Sequence, residues 1–133
     1  MIVGIGLDIV EVSRIRDVYR RHQDRFTHRV LTEAERAYVL KYKDPAERLA
    51  GRWAAKEAAF KALGTGLATG MRWHDVEVVR APSGRPDIRF HGGALERFRA
   101  LGATQCHLTI THSNDLAVAQ VILEDRGRGS AEG

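Results

Sequence analysis

The stretch Arg52-Trp53-Ala54-Ala55-Lys56-Glu57-Ala58-Ala59-Phe60-Lys61, running on to Gly64-Thr65-Gly66, decides how this chain is read. Its alanines favour a helix, and the glycine after the last periodic residue supplies a left-handed stop. At about 100° per residue, with Leu49 as the origin, Leu63 falls near 320°, Lys56 near 340°, Phe60 near 20°, Trp53 near 40° and Glu57 near 80°. Lys56 therefore sits in the middle of the apolar stripe, with Glu57 at its edge. Charges are rarely placed there unless they are paired or used. The plainer alternative is a lysine that snorkels to water and a surface pair between Glu57 and Lys61, one turn apart.

Upstream, Asp44-Pro45-Ala46-Glu47 places an aspartate cap, a first-turn proline and an acidic third position, so this central helix is expected over about residues 45–63. Thr32-Glu33-Ala34-Glu35 is a capping box that opens another helix, running to about Tyr42. A further helix is expected from Ser13, as N-cap, to about Phe26, with Ile15, Val18, Tyr19, His22 and Phe26 as its apolar stripe and Arg14, Arg21 and Arg25 on a different face. Residues 13–30 carry six arginines against two aspartates, which is either a solvated face or a surface for an acidic partner.

Residues 1–10 alternate as a strand, with Val3, Ile5, Leu7 and Ile9 on one side and Gly4, Gly6 and Asp8 on the other. The glycines are expected to leave space beside Asp8 for a ligand to approach the backbone. Strands are also expected at 75–80 and 87–90, as a hairpin around Pro82-Ser83-Gly84-Arg85-Pro86, and at 107–111 and 116–123. A short helix over 93–101 lies between these two pairs.

Composition narrows the class. A chain of 133 residues without internal repeats or long linkers suits one domain, residues 1–124, followed by a Gly-, Arg- and Ser-rich tail, 125–133, expected to be disordered. No apolar run approaches the roughly 20 residues that span a bilayer. Asp8 and the missing basic flank make the first ten residues a strand and not a signal peptide. Cys106 is alone, which fits the cytoplasm. The net charge of +4 favours an acidic or phosphate-rich partner.

Asp8 and Glu57 are the candidate metal ligands. Hard oxygens without a cysteine or histidine cluster point to magnesium, with water and substrate phosphate completing the shell. The six histidines show no zinc spacing, and neither a P-loop nor a nucleophile-elbow motif occurs. Gly4-Ile5-Gly6-Leu7-Asp8-Ile9 is half a dinucleotide fingerprint and lacks the third glycine. The Gly64-Thr65-Gly66 turn offers backbone N–H groups of the kind that hold phosphate. The residues alone thus suggest magnesium-assisted phosphate chemistry, with a phosphohydrolase or nuclease as one alternative. A basic nucleic-acid-binding module is the other, opposed by the placing of Tyr19 and Phe26 on the apolar stripe.

Four blocks carry a resemblance: Gly4-Ile5-Gly6-Leu7-Asp8-Ile9-Val10-Glu11-Val12-Ser13-Arg14, residues 26–35, residues 52–66, and Leu108-Thr109-Ile110-Thr111-His112-Ser113 followed by Ala117-Val118-Ala119. In this order and spacing the chain resembles the holo-acyl-carrier-protein synthases, the small bacterial 4′-phosphopantetheinyl transferases. The resemblance implies an α+β fold with a small antiparallel sheet packed on helices. It also implies a homotrimer with its active sites at subunit interfaces. By it, a carrier-protein serine attacks the β-phosphate of coenzyme A in fatty-acid biosynthesis, and adenosine 3′,5′-bisphosphate leaves. It implies that Asp8 and Glu57 bind magnesium, that Glu57 acts as general base directly or through a water, and that Lys61 touches the pyrophosphate. Lys56 would support charge in the site. Arg52, Gly64, Thr65, Gly66, His112 and Ser113 would surround the nucleotide end of coenzyme A, and Arg14, Arg21 and Arg25 would receive the acidic helix of the acyl carrier protein. No nucleic acid or membrane partner is implied. Trp53 stands where the family often has phenylalanine, a change expected to affect packing only.

Overall fold

The computed structural model describes residues 1–68 and 70–127. The elements run β1 (Ile2–Glu11), α1 (Val12–His22), α2 (Asp24–Val30), α3 (Glu33–Val39), α4 (Ala46–Leu63), β2 (Val76–Arg80), β3 (Pro86–Phe90), α5 (Gly92–Ala100), β4 (Gln105–His112) and β5 (Leu116–Glu124). A single 3-10 turn, Trp73–Asp75, leads into β2. Strands β1, β5 and β4 form an antiparallel sheet in that order, and β2 pairs with β3 as a separate antiparallel hairpin. The α+β architecture expected from the sequence is the one observed.

Helix α4 is the axis of the molecule. Its alanines 50, 54, 55, 58, 59 and 62 are all buried, so it is enclosed by other elements on nearly every side. One side lies against β1 and the rest of the sheet, and this contact explains the glycines of β1. A Cβ on Gly6 would stand 1.8 Å from the Ala58 carbonyl oxygen, and one on Gly4 would stand 2.2 Å from that of Ala62. The space expected beside Asp8 is therefore filled by helix backbone; the glycines admit α4, not a ligand. The strand alternates as the sequence predicts, but its glycine side faces inward. Ile5, Leu7 and Ile9 remain 59%, 50% and 60% exposed.

The helix expected over 13–26 is two helices. Gln23 breaks it at a φ of 41°, donating its N–H to the Tyr19 carbonyl, and α2 restarts at Asp24. Ser13 is not the cap; Glu11 holds that position without a side-chain bond, and the Val12 N–H donates to the Asp115 carbonyl. The capping box is present as expected: Thr32 accepts from the Glu35 N–H at 3.2 Å and donates its own N–H to Glu35 Oε1 at 2.8 Å. Asp44 lies one residue outside the cap position of α4 and accepts from the Ala46 N–H at 3.2 Å. Gly64 ends the helix at a φ of 80°, which a side chain would resist.

At the other end of the chain Asp125 pairs with Met1, donating its N–H to the Met1 carbonyl at 2.7 Å. The remainder of the tail expected to be disordered, residues 128–133, lies outside the described residues.

Candidate active site

Asp8, Glu57 and Lys61 meet where β1 crosses the C-terminal half of α4. Asp8 follows Gly4 and Gly6 on the helix-facing side of β1, and Glu57 and Lys61 are one turn apart on the helix. Lys61 Nζ donates to Asp8 Oδ1 and to the Leu7 carbonyl, both at 3.0 Å. The plainer alternative, a surface pair between Glu57 and Lys61, gives way to this bond across elements. Burial, and then the negative charge of Asp8, push the Glu57 carboxyl above its ordinary value, while Lys61 and Arg14 pull it partly back. Two carboxylates and an ammonium thus share a partly exposed corner, with Arg14 reaching it from α1.

Lys56 does not belong to that corner. It is completely buried. Its ammonium lies 2.8 Å from Glu35 Oε1 and donates to the carbonyls of Trp73, at 3.1 Å, and of Val76. Three protons meet three protein acceptors, so none is left for a nucleotide. Desolvation lowers its pKa below the ordinary lysine value and Glu35 pulls it back up. The role expected for it in the site is corrected by this geometry, and Glu35, besides capping α3, takes on the ion pair.

The Gly64-Thr65-Gly66 turn lies just past Lys61. The Gly64 and Gly66 N–H groups are spent on the carbonyls of Lys61, at 3.0 Å, and Phe60, at 3.3 Å, so the turn is less bare than its glycines suggest. Arg97 of α5 donates to the Leu63 carbonyl at 2.9 Å and steadies the same end.

Arg52 and His112 lie elsewhere. On the helix wheel Arg48 and Arg52 fall near 260° and 300°, opposite Glu57 near 80° and Lys61 near 120°. They face β4, not β1. A cavity of about 380 Å³ opens there between Tyr38, Tyr42, Arg48, Arg52, Arg80 and His112. The Arg48 guanidinium stacks 3.6 Å from the centre of the Tyr42 ring, Arg52 lies 4.4 Å from that of Tyr38, and Arg80 donates to the Tyr38 hydroxyl at 2.9 Å. Arg52 Nε is buried without a partner among the described residues, and desolvation lowers the guanidinium's pKa. His112 Nδ1 stands 3.4 Å from Glu47. Ser113 Oγ accepts the N–H groups of Asp115 and Leu116, both at 3.2 Å, to shape the β4–β5 turn. Arg48 and Arg80 escaped the sequence reading; the i, i+4 spacing of Arg48 and Arg52 was the available signal.

Arg14 and Arg21 are exposed on α1, whereas Arg25, past the break at Gln23, is on α2. Arg25 stands at a second cavity, of about 420 Å³, with His22 and Arg29 at its rim and Val18, Phe26, Trp53 and Trp73 in its walls.

Residues 4–121 match the 4′-phosphopantetheinyl transferase superfamily. The chain belongs to this superfamily. It is 50% identical to a holo-[acyl-carrier-protein] synthase of Koribacter versatilis, over 94% of this chain and all of the relative. Among solved structures, the transferase fold is shared with a holo-(acyl-carrier-protein) synthase of Bacillus anthracis in complex with CoA (3′,5′-ADP). That likeness has a TM-score of 0.78 and 40% identity, and covers 94% of this chain and 98% of that one. The holo-[acyl-carrier-protein] synthase of Neisseria meningitidis overlays with a TM-score of 0.84 at 31% identity, over 94% and 100% of the two chains.

Proposed function

We propose that this protein transfers the 4′-phosphopantetheine group of coenzyme A to a serine hydroxyl of apo-acyl carrier protein, in fatty-acid biosynthesis in the cytoplasm. The meeting of Asp8, Glu57 and Lys61 at one flank of α4 carries this reading. Phosphoryl transfer asks mainly that oxygens be positioned and their charge offset. Lys61 brings a positive charge to the pyrophosphate. The carrier's serine oxygen forms the new bond to the β-phosphorus, the bond from that phosphorus to the bridging oxygen breaks, and adenosine 3′,5′-bisphosphate leaves. Glu57, in the corner it shares with Asp8 and Lys61, takes the hydroxyl proton.

Asp8 and Glu57 suit magnesium. Both are hard oxygen donors, and the repulsion between them is relieved by a cation. Water and pyrophosphate oxygens would complete the shell around these two donors. When bound, the ion offsets the charge of the pyrophosphate.

One chain holds only half of the site. Its carboxylates lie beside β1, and its arginine–tyrosine cavity lies beside β4, on opposite flanks of α4 and opposite edges of the sheet. The cavity offers three arginines and a buried, unpartnered Nε, which suits the phosphates of a nucleotide. A second copy unites the two halves, and the exposed Ile5, Leu7 and Ile9 supply an apolar sheet face for it. The assembly we infer is a homotrimer with coenzyme A between neighbours. Arg14, Arg21 and Arg25, beside the hollow of Val18, Phe26, Trp53 and Trp73, suit an acidic carrier helix that also presents an apolar side chain.

A phosphohydrolase reading needs further acidic ligands, and Glu35 is consumed by Lys56. A nucleic-acid reading needs exposed aromatics in the basic arm, where Phe26 is buried. Mixed with magnesium, coenzyme A and apo-acyl carrier protein, the protein is expected to add one phosphopantetheine to the carrier, read by mass spectrometry. A carrier of unchanged mass overturns the proposal.

A further inference from the structure

Burying an ion pair is seldom a source of stability, because desolvation offsets the attraction. The Lys56–Glu35 pair, with both side chains fully buried, therefore calls for another account. Every partner of the pair is a fixed point of the backbone. Glu35 takes the N–H groups of Thr32 and Val78, at 2.8 Å each, and Lys56 holds the Trp73 and Val76 carbonyls. The pair thus ties α3 and α4 to the 3-10 turn and the start of β2.

Trp73 is the consequential tie. Its ring stacks on Trp53 with centroids 4.6 Å apart and meets Phe60 edge-on at 5.9 Å, while Trp53 tilts onto Phe26 at 5.9 Å. Trp53 is one turn before Lys56 on the same face of α4. One lysine therefore orients the first ring through the helix and the second through its carbonyl. Both rings wall the hollow beside Arg25.

We propose that Lys56, held by Glu35, is a positioning residue for acyl-carrier-protein recognition: it sets the stacked Trp53–Trp73 wall against which the carrier docks. This rests on reading the hollow as the carrier site. It gives Lys56 a part in the reaction without contact to coenzyme A.

The test uses Glu35→Gln/Lys56→Met, which removes both charges together and leaves no lone buried ion. The chain has two tryptophans, so their stacking is read directly as exciton coupling in circular dichroism. The expected result is a cooperatively folded protein with a weakened couplet and a KM for apo-carrier raised about tenfold, with KM for coenzyme A and kcat near the parent values. An unchanged carrier KM overturns the proposal. A loss spread evenly over both KM values and kcat also overturns it, since that is what a purely structural pair would produce. If the double variant does not fold, Lys56→Gln alone takes its place, leaving Glu35 with the Thr32 and Val78 N–H groups, and the same carrier-specific rise is required. Val18→Glu tests the hollow itself: an unchanged carrier KM there sinks the carrier reading and the proposal with it. A raised one beside an unaffected pair variant sinks the positioning role alone.

Discussion

Glu57 and Lys56 are neighbours in sequence with opposite fates, and the difference is one of solvation. A helix turns about 100° between them. That step takes Lys56 to the buried face, where only full pairing makes a charge tolerable, and leaves Glu57 at the edge beside Asp8. Glu57→Gln is expected to reduce transfer by roughly a thousandfold or more while the fold persists, measured by phosphopantetheine incorporation. The same variant has a stability signature in metal-free protein. The folded carboxyl has a raised pKa, so above its ordinary value of 4.5 the folded state holds a proton that the unfolded state has released. Stability then falls as pH rises towards the folded value. Glu57→Gln should therefore melt with the parent in acid and above it at neutral pH. Equal melting temperatures at both pH values would contradict the assigned shift.

The contact between β1 and α4 belongs to the scale of elements. Helix and strand approach so closely that carbonyl oxygens of the helix occupy the places of two Cβ atoms. Backbone cannot yield as a flexible side chain does. Gly6→Ala is therefore expected to cost about 3 kcal/mol or more, read from the denaturant midpoint. It should also weaken catalysis in the surviving folded protein, because it pushes Asp8 away from Glu57. The strand and helix were both legible from their periods, but the reason for the glycines was not. Alternation says which residues share a side, and only the packed partner says which side is filled. The break at Gln23 escaped for a related reason. The apolar period continues through it, and the non-glycine residue that takes the positive φ carries no turn signature.

At the scale of the whole molecule, the assembly proposed from the half-sites on opposite flanks of α4 makes subunit contact a testable condition of activity. Leu7→Lys places a charge in the exposed apolar face of β1. Its expected outcome is a folded monomer by light scattering, with transfer largely lost. A sharper check mixes two inactive proteins, Glu57→Gln and Arg52→Ala, under conditions that exchange subunits. Where one chain supplies the carboxylates and its neighbour the arginines, some mixed interfaces are intact, and part of the activity returns. No recovery would mean that each chain builds its site alone.

Asp8 and Glu57 stood out as a candidate oxygen pair because charges at fixed spacings on a strand and an alanine-rich helix are conspicuous in one dimension, whereas Lys61 was singled out by the family resemblance. The capping box and the glycine stop were legible in the same way, since each depends on a few consecutive residues and on local backbone preferences, whereas the α+β class came with the family resemblance. Lys56 needed the third dimension. Its partner Glu35 lies 21 residues away and its two carbonyls lie 17 and 20 away. Local periodicity says that a charge is buried; only tertiary structure says what accompanies it. The pairing of Arg52 with Tyr38, the stacking of Trp53 on Trp73 and the exposure of Ile5, Leu7 and Ile9 were decided in the same way, by contacts between elements far apart in the chain.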